Sequence, residues 1–305
     1  MKVAVIGATG VIGSSVVPSL VAAGHDVFAM ARTEEKAASL EHAGATAVRA
    51  SLGDHDGLVS MFEGCDAVCN LATHVPHGVR AAFRGSWREN DWLRTEGVRR
   101  VVDAARQAHV RRVVQESVSF LYADNGDDWI DEQSPLEINC ATEPASVGES
   151  HVAEYQHEPR HGVVLRFGTL VGDDELTRWW LRCARNGMPV GMGSPDGWVH
   201  LLHVSDVGPA VVAALTAPSG TYNVGAEPVR REDLVRGYAT AAGRSSAAFM
   251  GPLTRRIAGS RSEPLTRSLR VSSESFTAQT GWTARRARFD PSWFDLRAVE
   301  SEKTR

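Results

Sequence analysis

Short apolar runs alternate with segments whose apolar residues recur at helical spacing through the first half of the chain. The apolar runs predict buried strands over residues 2–7, 26–31, 46–50, 66–71 and 163–167, with a further strand beginning at 112–115. The helical spacing predicts helices over residues 11–23, 34–42, 54–62, 87–108 and 147–156. Strands and helices that alternate with short links are typical of an α/β fold with a doubly wound parallel sheet.

The rhythm changes after residue 167. A helix around 175–184 precedes a Gly/Pro-rich stretch (186–197), an apolar strand (198–204), a helix capped by Ser205 or Asp206 and a strand (221–224). We predict a first domain over residues 1–168, which the chain rejoins around 198–225, and a smaller substrate-binding region over 169–305. Ligands bind at the carboxyl edge of such sheets, and the acidic, turn-rich segment 122–146 is predicted to be a loop over that edge.

Composition narrows the function classes. The 305 residues are 43% hydrophobic and 23% charged, as in a soluble globular protein, and the net charge of −4 argues against a globally basic nucleic-acid binder. The four cysteines form no C-x-x-C pair, which predicts neither a disulfide scaffold nor a zinc site and favours the reducing cytoplasm. No apolar run is long enough for a transmembrane helix, and the acidic loop lacks metal-ligand spacing. We therefore expect no membrane segment and no metal, and the sequence carries no signal for an oligomeric state.

A glycine-rich loop stands between the first predicted strand and its helix. Its sequence is Gly7-Ala8-Thr9-Gly10-Val11-Ile12-Gly13. Gly7 permits a tight turn, Gly10 lets backbone N–H groups approach a pyrophosphate at the helix N-terminus, and Gly13 lets helix and strand pack closely. The pattern predicts a dinucleotide site with contacts from Gly7, Thr9, Gly10, Val11, Ile12 and Gly13.

The end of the second strand favours NADP(H) over NAD(H). An NAD site usually places an acidic residue there to accept from the ribose hydroxyl, but this chain reads Met30-Ala31-Arg32-Thr33. The guanidinium of Arg32 can pair with a 2′-phosphate. The alternative is that Arg32 is a solvated side chain at a helix start.

At this point the chain resembles the extended short-chain dehydrogenase/reductase family along nearly its whole length. Besides the glycine loop, the matching segments are Asn70-Leu71-Ala72, Leu165-Arg166-Phe167-Gly168, His203-Val204-Ser205-Asp206-Val207, Tyr222-Asn223-Val224-Gly225 and Gly281-Trp282. The resemblance implies a Rossmann fold, an adenine contact from Asp54 and a backbone path along the cofactor at Leu71, Ala72 and Thr73.

The family's proton-handling residues are missing from their usual positions. The segment Val147–Glu154 aligns with the family's Y-G-x-S-K-x-x-A-E motif, so that Val147 replaces the tyrosine and His151 replaces the lysine. The family's catalytic serine falls on Val118. None of the four tyrosines has a lysine four residues on. The chain therefore resembles atypical members without the Ser-Tyr-Lys triad, among them ketoreductases of aromatic polyketide antibiotic pathways.

Four other residues are candidates for the chemistry. Ser117 and Ser119 flank the lost serine, Tyr122 lies just beyond, and His74 follows the fourth strand, while His151 could hydrogen-bond the nicotinamide ribose. Each also has a structural interpretation as a packed or backbone-bonded side chain. A further hypothesis is that no side chain donates, because a phenol beside the ketone stabilises the alkoxide and water resupplies the proton.

Tryptophans suggest the kind of substrate. Six of them lie in segments expected near the carboxyl edge or the smaller region: Trp87, Trp92, Trp129, Trp179, Trp180 and Trp198. They would suit a flat polycyclic small molecule, although ordinary packing also explains them. Three functions follow from the sequence: an NADPH-dependent ketoreductase, a redox-neutral epimerase, dehydratase or cyclase of the same fold, and a cofactor-sensing regulator.

Overall fold

The computed structural model describes residues 1–251 and 260–294. Its strands are β1 (Lys2–Ile6), β2 (Asp26–Ala31), β3 (Thr46–Arg49), β4 (Ala67–Asn70), β5 (Arg112–Val118), β6 (Trp129–Ile130), β7 (His161–Phe167), β8 (Thr169–Val171), β9 (Trp198–Val199), β10 (Leu201–His203), β11 (Gly220–Val224), β12 (Val229–Arg230) and β13 (Arg270–Val271). Its α-helices are α1 (Val11–Ala22), α2 (Glu34–His42), α3 (His55–Phe62), α4 (Arg88–Trp92), α5 (Val98–Gln107), α6 (Glu143–Tyr155), α7 (Glu175–Arg185), α8 (Val204–Ala214), α9 (Arg231–Ala241) and α10 (Glu274–Thr280).

One seven-stranded sheet organises the chain. Its strand order is β11-β7-β5-β4-β1-β2-β3, and every neighbouring pair is parallel. The order reverses direction at β1, which puts a crevice at the carboxyl ends of β1 and β4. The predicted doubly wound parallel sheet is confirmed.

The two faces of the sheet carry separate hydrophobic cores. Along β1, Val3 and Val5 belong to the core shared with α1, α2 and α8, while Ala4 and Ile6 belong to the core shared with α3, α5 and α6. Successive side chains of a strand point to opposite faces, so a strand buried on both faces is apolar throughout. This explains the continuous apolar runs of the sequence.

Four local predictions need correction. The helix predicted over 147–156 begins at Glu143, inside the predicted loop, because Pro144 suits a first helical turn. The helix predicted over 87–108 contains a π-helical segment (Leu93–Gly97) between α4 and α5. The strand predicted over 198–204 is two short strands, β9 and β10, interrupted at His200.

The fourth correction concerns the cap of α8. The N-cap is His203, whose ring Nδ1 accepts the N–H of Ser205 at 3.2 Å. Ser205 and Asp206 lie inside the first turn. The Asp206 carboxylate instead accepts the N–H groups of Arg285 and Arg286 at 3.3 and 3.1 Å, so it joins the C-terminal segment to the sheet. A long-range contact of this kind has no local sequence signal.

Within residues 1–251 and 260–294, none of the helices combines the length and the apolar character that crossing a membrane requires.

Candidate active site at the carboxyl edge of the sheet

The glycine loop has the geometry of a tight turn with close backbone contacts. Gly7 has a φ of +77°, and a Cβ there would lie 2.7 Å from backbone atoms of Ala72. A Cβ on Gly13 would lie 2.3 Å from the carbonyl oxygen of Gly7. Both positions therefore require glycine, for the reasons that the sequence indicated.

The N-terminus of α1 is suited to an anion. Its N-cap, Gly10, supplies no side chain, and the first turn contains no acidic residue. Thr9 and Val11 are exposed, whereas Ile12 is buried in the core. The unpaired N–H groups of a first helical turn and the helix dipole together favour a phosphate group. These residues could hold the pyrophosphate of a dinucleotide.

A cleft of about 380 Å³ opens at the carboxyl ends of β2 and β3. Its lining residues are Ala31, Arg32, Arg49, Ala50, Ser51 and Asp54. The structure thus brings the predicted residues Arg32 and Asp54 together. One oxygen of Asp54 also accepts the N–H of Gly57 at 3.1 Å and so caps α3.

Arg49 is a second cation of the cleft that the sequence analysis missed. Arg49 ends β3 and is the register partner of Ala31, the residue before Arg32. The sequence could have indicated Arg49, because the second and third predicted strands pair in parallel and their carboxyl ends therefore lie side by side. Both arginine side chains are exposed and face carboxylates: Arg49 Nη1 lies 3.0 Å from Glu34, and Arg32 Nη1 lies 4.0 Å from Glu89.

The chain leaves β4 directly against the glycine loop. The N–H of Leu71 donates to the carbonyl of Ile6 at 2.9 Å, and Ala72 lies against Gly7. Thr73 follows, partly buried, and the backbone N–H of His74 donates to Asn90 Oδ1 at 3.1 Å. The segment 71–74 therefore runs along the place where the pyrophosphate is expected.

The hydroxyl candidates lie in the protein interior. Ser117, Ser119 and Tyr122 are 1%, 0% and 0% exposed. Ser117 Oγ donates to Glu149 at 2.5 Å, and Tyr122 Oη donates to Asn223 Oδ1 at 2.8 Å. Ser119 Oγ has no hydrogen-bond partner among the described residues, but it is enclosed. In this arrangement, none of the three reaches a ligand at the sheet edge.

Tyr122 is held in its neutral form. Burial raises the pKa of its phenol, and the neighbouring guanidinium of Arg166, 2.8 Å from the hydroxyl, offsets only part of this shift. Strand register places Arg166 beside Ser117 and Asn223, which are its partners on the two adjacent strands. The three side chains lie at one level across β5, β7 and β11, with Tyr122 next to them.

The histidine candidates are more accessible. The side chain of His74 is 57% exposed, and its Nε2 lies 3.7 Å from the Glu89 carboxylate. The side chain of His151, on α6, is 24% exposed, with Nδ1 3.9 Å from Glu154. Gly148 packs closely behind it, because a Cβ there would lie 2.6 Å from the carbonyl oxygen of Arg94. Arg94 is buried and pairs with Glu116 at 2.8 Å.

The tryptophans make several separate contacts. Trp129 and Trp198 both lie beside the guanidinium of Arg270, at 4.2 and 4.7 Å. Trp179 and Trp180 contact each other edge to face, and Trp87 lies under Arg261. These contacts belong to packing and cation–π stacking rather than to one aromatic wall.

The fold is that of an NAD(P)-binding oxidoreductase. A family described as NAD(P)H-binding matches residues 7–140. The 3-diazoavenalumate denitrifying reductase of a Streptomyces species is 32% identical over 237 residues, which cover 73% of this chain and 75% of the relative. The chain belongs to this extended short-chain dehydrogenase/reductase-like family of NAD(P)-dependent oxidoreductases.

Two further proteins are similar to this chain. A 4-hydroxy-2-methyl-3-oxo-4-farnesyl-3,4-dihydroquinoline-1-oxide ketoreductase of Stigmatella aurantiaca is 31% identical over 137 residues, 45% of this chain and 39% of that protein. The structure of the human epimerase family protein SDR39U1 with NADPH is 20% identical in sequence and covers 97% of this chain and 99% of that chain, with a TM-score of 0.79. The second likeness concerns the fold alone.

Proposed function

We propose that the protein is an NADPH-dependent ketoreductase that reduces a carbonyl of an aromatic polyketide-type metabolite without the usual tyrosine–lysine proton relay. The observation that carries the proposal is an intact dinucleotide loop beside a site whose hydroxyl candidates are all enclosed. The relatives support reduction as the reaction, since one is named a reductase and another a ketoreductase. The sequence resemblance to triad-lacking ketoreductases, such as the simocyclinone ketoreductase, supports the substrate class.

The cofactor would be held by the residues already described. The N-terminus of α1 and Gly7, Gly10 and Gly13 would bind the pyrophosphate, and Arg32 and Arg49 would bind the 2′-phosphate. Leu71, Ala72 and Thr73 would line its path, and His151 would approach the ribose. The nicotinamide, when bound, supplies the hydride. The remaining task of the protein is to orient the ketone and to deliver a proton to its oxygen.

His74 is the proton donor that the geometry favours. It is the most exposed of the four catalytic candidates, and histidine commonly acts as a general acid near neutral pH. Its backbone is fixed by the bond from its N–H to Asn90. If the substrate carries a phenol next to the ketone, the internal hydrogen bond would replace this donor, at a cost that an activated ketone can offset.

A redox-neutral reaction is the second candidate, because a Bacillus subtilis relative named as an uncharacterized sugar epimerase is 35% identical over 146 residues, 45% of this chain. The two candidates differ in cofactor consumption. The test is to incubate the purified protein with NADPH and polycyclic quinone-type ketones, following absorbance at 340 nm and product mass. Ketone reduction predicts stoichiometric NADPH loss and a product heavier by two hydrogens. Product formation without net NADPH loss would establish the redox-neutral alternative instead, and binding without turnover of any ketone would contradict both.

A further inference from the structure

Glu89 lies between Arg32, which lines the cleft at the ends of β2 and β3, and His74, the proposed proton donor. Its Oε1 is 4.0 Å from Arg32 Nη1, and its Oε2 is 3.7 Å from His74 Nε2. Its side chain is 51% exposed, while Arg32 also lines the cleft at the end of β2. One carboxylate thus faces a cation of the proposed 2′-phosphate site on one side and the proposed proton donor on the other.

The neighbouring residues fix the backbone position of Glu89. Asn90, 4% exposed, accepts the backbone N–H of His74, and Asp91 forms a double hydrogen bond with Arg261. The backbone of α4 is therefore tied to the segment after β4 and to the C-terminal part. Glu89 is held at the rim of the cleft even though its own side chain is half in solvent.

The charges at the cleft oppose a 2′-phosphate as well as attract it. Arg32 and Arg49 supply two positive charges, whereas Glu34, Asp54 and Glu89 supply three negative ones. A dianionic phosphate that pairs with Arg32 must compete with Glu89 for the guanidinium, and it is then repelled by the nearby Glu89 carboxylate. A ribose hydroxyl carries no charge and meets no such repulsion. At about 4 Å in water-like surroundings one unit-charge interaction changes an affinity by about fivefold.

We propose that Glu89 is a specificity-determining residue, which competes with the 2′-phosphate of the cofactor for Arg32 and thereby lowers the preference for NADPH over NADH. The inference rests on the proposed use of NADPH. It adds a residue, outside the glycine loop and the second strand, that sets the balance between the two cofactors.

The test compares nucleotide affinities rather than turnover. Dissociation constants for NADPH and NADH are measured by calorimetry or nucleotide fluorescence on the full-length protein, the Glu89→Gln variant and the Glu89→Asp variant. We expect Glu89→Gln to tighten NADPH binding by about three- to tenfold and to leave NADH binding within about twofold. Glu89→Asp keeps the charge and should keep the wild-type preference. The gain should shrink in high salt, because the groups are exposed.

A matched control is available on α9. Glu232 is 49% exposed and lies 3.9 Å from Arg236, much like Glu89 and Arg32. Glu232→Gln should leave both affinities unchanged. The gain from Glu89→Gln should also disappear in an Arg32→Ala background, since the carboxylate acts through that guanidinium.

The outcomes are separable. An unchanged NADPH-to-NADH ratio in Glu89→Gln, or an equal gain in the Arg32→Ala background, would overturn the role of Glu89 while the proposed function stands. Failure of the wild-type protein to bind NADPH would overturn the proposed function and this inference together.

Discussion

Glu149 accepts two hydrogen bonds from Arg166 in a bidentate pair, with Nη2–Oε2 at 2.6 Å and Nε–Oε1 at 2.9 Å. The two side chains are 11% and 7% exposed, so the pair is nearly removed from water. Glu149 belongs to α6, between the positions of the family's tyrosine and lysine, and Arg166 belongs to β7. The pair therefore anchors to the sheet the helix that normally carries the catalytic residues.

Breaking this pair should cost more than breaking a surface pair. Glu149→Gln leaves the buried charge of Arg166 without its counter-ion, and we expect the free energy of unfolding to fall by about 3–5 kcal/mol. Urea denaturation followed by circular dichroism measures it. Glu227→Gln, which breaks an exposed pair with Arg288, should cost less than about 1 kcal/mol. If the two variants lost the same free energy of unfolding, the buried Glu149–Arg166 pair would contribute no more to stability than an exposed pair.

Replacing His74 and replacing Tyr122 should have different effects on kcat and on stability. We expect His74→Asn to lower kcat by about 10²-fold or more with NADPH affinity unchanged, because it loses a general acid. Tyr122→Phe should keep its kcat but lose about 1–3 kcal/mol of stability, since Asn223 and Arg166 each lose a buried partner. Steady-state kinetics and thermal unfolding measure the two effects.

A large loss of kcat in Tyr122→Phe, with kcat little changed in His74→Asn, would identify Tyr122 as the proton donor. A loss of less than about tenfold in His74→Asn, with Tyr122→Phe also active, would instead support donation by the substrate and water.

Gly13 should not tolerate a methyl group. A Cβ there would lie 2.3 Å from the carbonyl oxygen of Gly7 and 2.5 Å from backbone atoms of Ala8, so the loop must move. We expect Gly13→Ala to weaken NADPH binding at least tenfold and to cost about 1–3 kcal/mol of stability. Gly85→Ala meets no atom within 4 Å and should cost less than about 0.5 kcal/mol. Wild-type nucleotide affinity in Gly13→Ala would show that the loop does not bind the cofactor.

Stability should fall in mild acid. His200 is 1% exposed, and burial lowers its pKa to about 3, while burial and then Arg286 lower the pKa of His203 to about 4. Between these values and about 6.5, the unfolded chain binds protons that the folded chain excludes, so unfolding becomes easier as the pH falls. At pH 5 each ring should account for a loss of roughly 2 kcal/mol relative to pH 7.

Comparing variants isolates the histidine contribution. Burial raises the pKa of Asp174 and Asp206, which works in the opposite direction as the pH falls. Urea unfolding at pH 7 and pH 5 should therefore be compared between the wild type and His200→Leu. We expect a smaller pH dependence in His200→Leu, whatever its absolute stability. An identical pH dependence in the two proteins would show that His200 does not titrate on unfolding.

Local sequence determined much of this protein. The glycine loop, the bounds of β2 and α2 and the cleft residue Arg32 could all be read from short segments, because turn chemistry, capping and apolar periodicity act over a few residues. The resemblance to a known family followed from motifs of the same local kind.

Tertiary structure alone decided which side chains meet. Arg49 joins Arg32 because β2 and β3 pair in parallel, and Glu89 reaches Arg32 and His74 because α4 is tied to the segment after β4. Ser117 became part of a buried network because register places it beside Arg166. Register and helix packing are set by the free energy of burying whole faces, which a short stretch of sequence does not record.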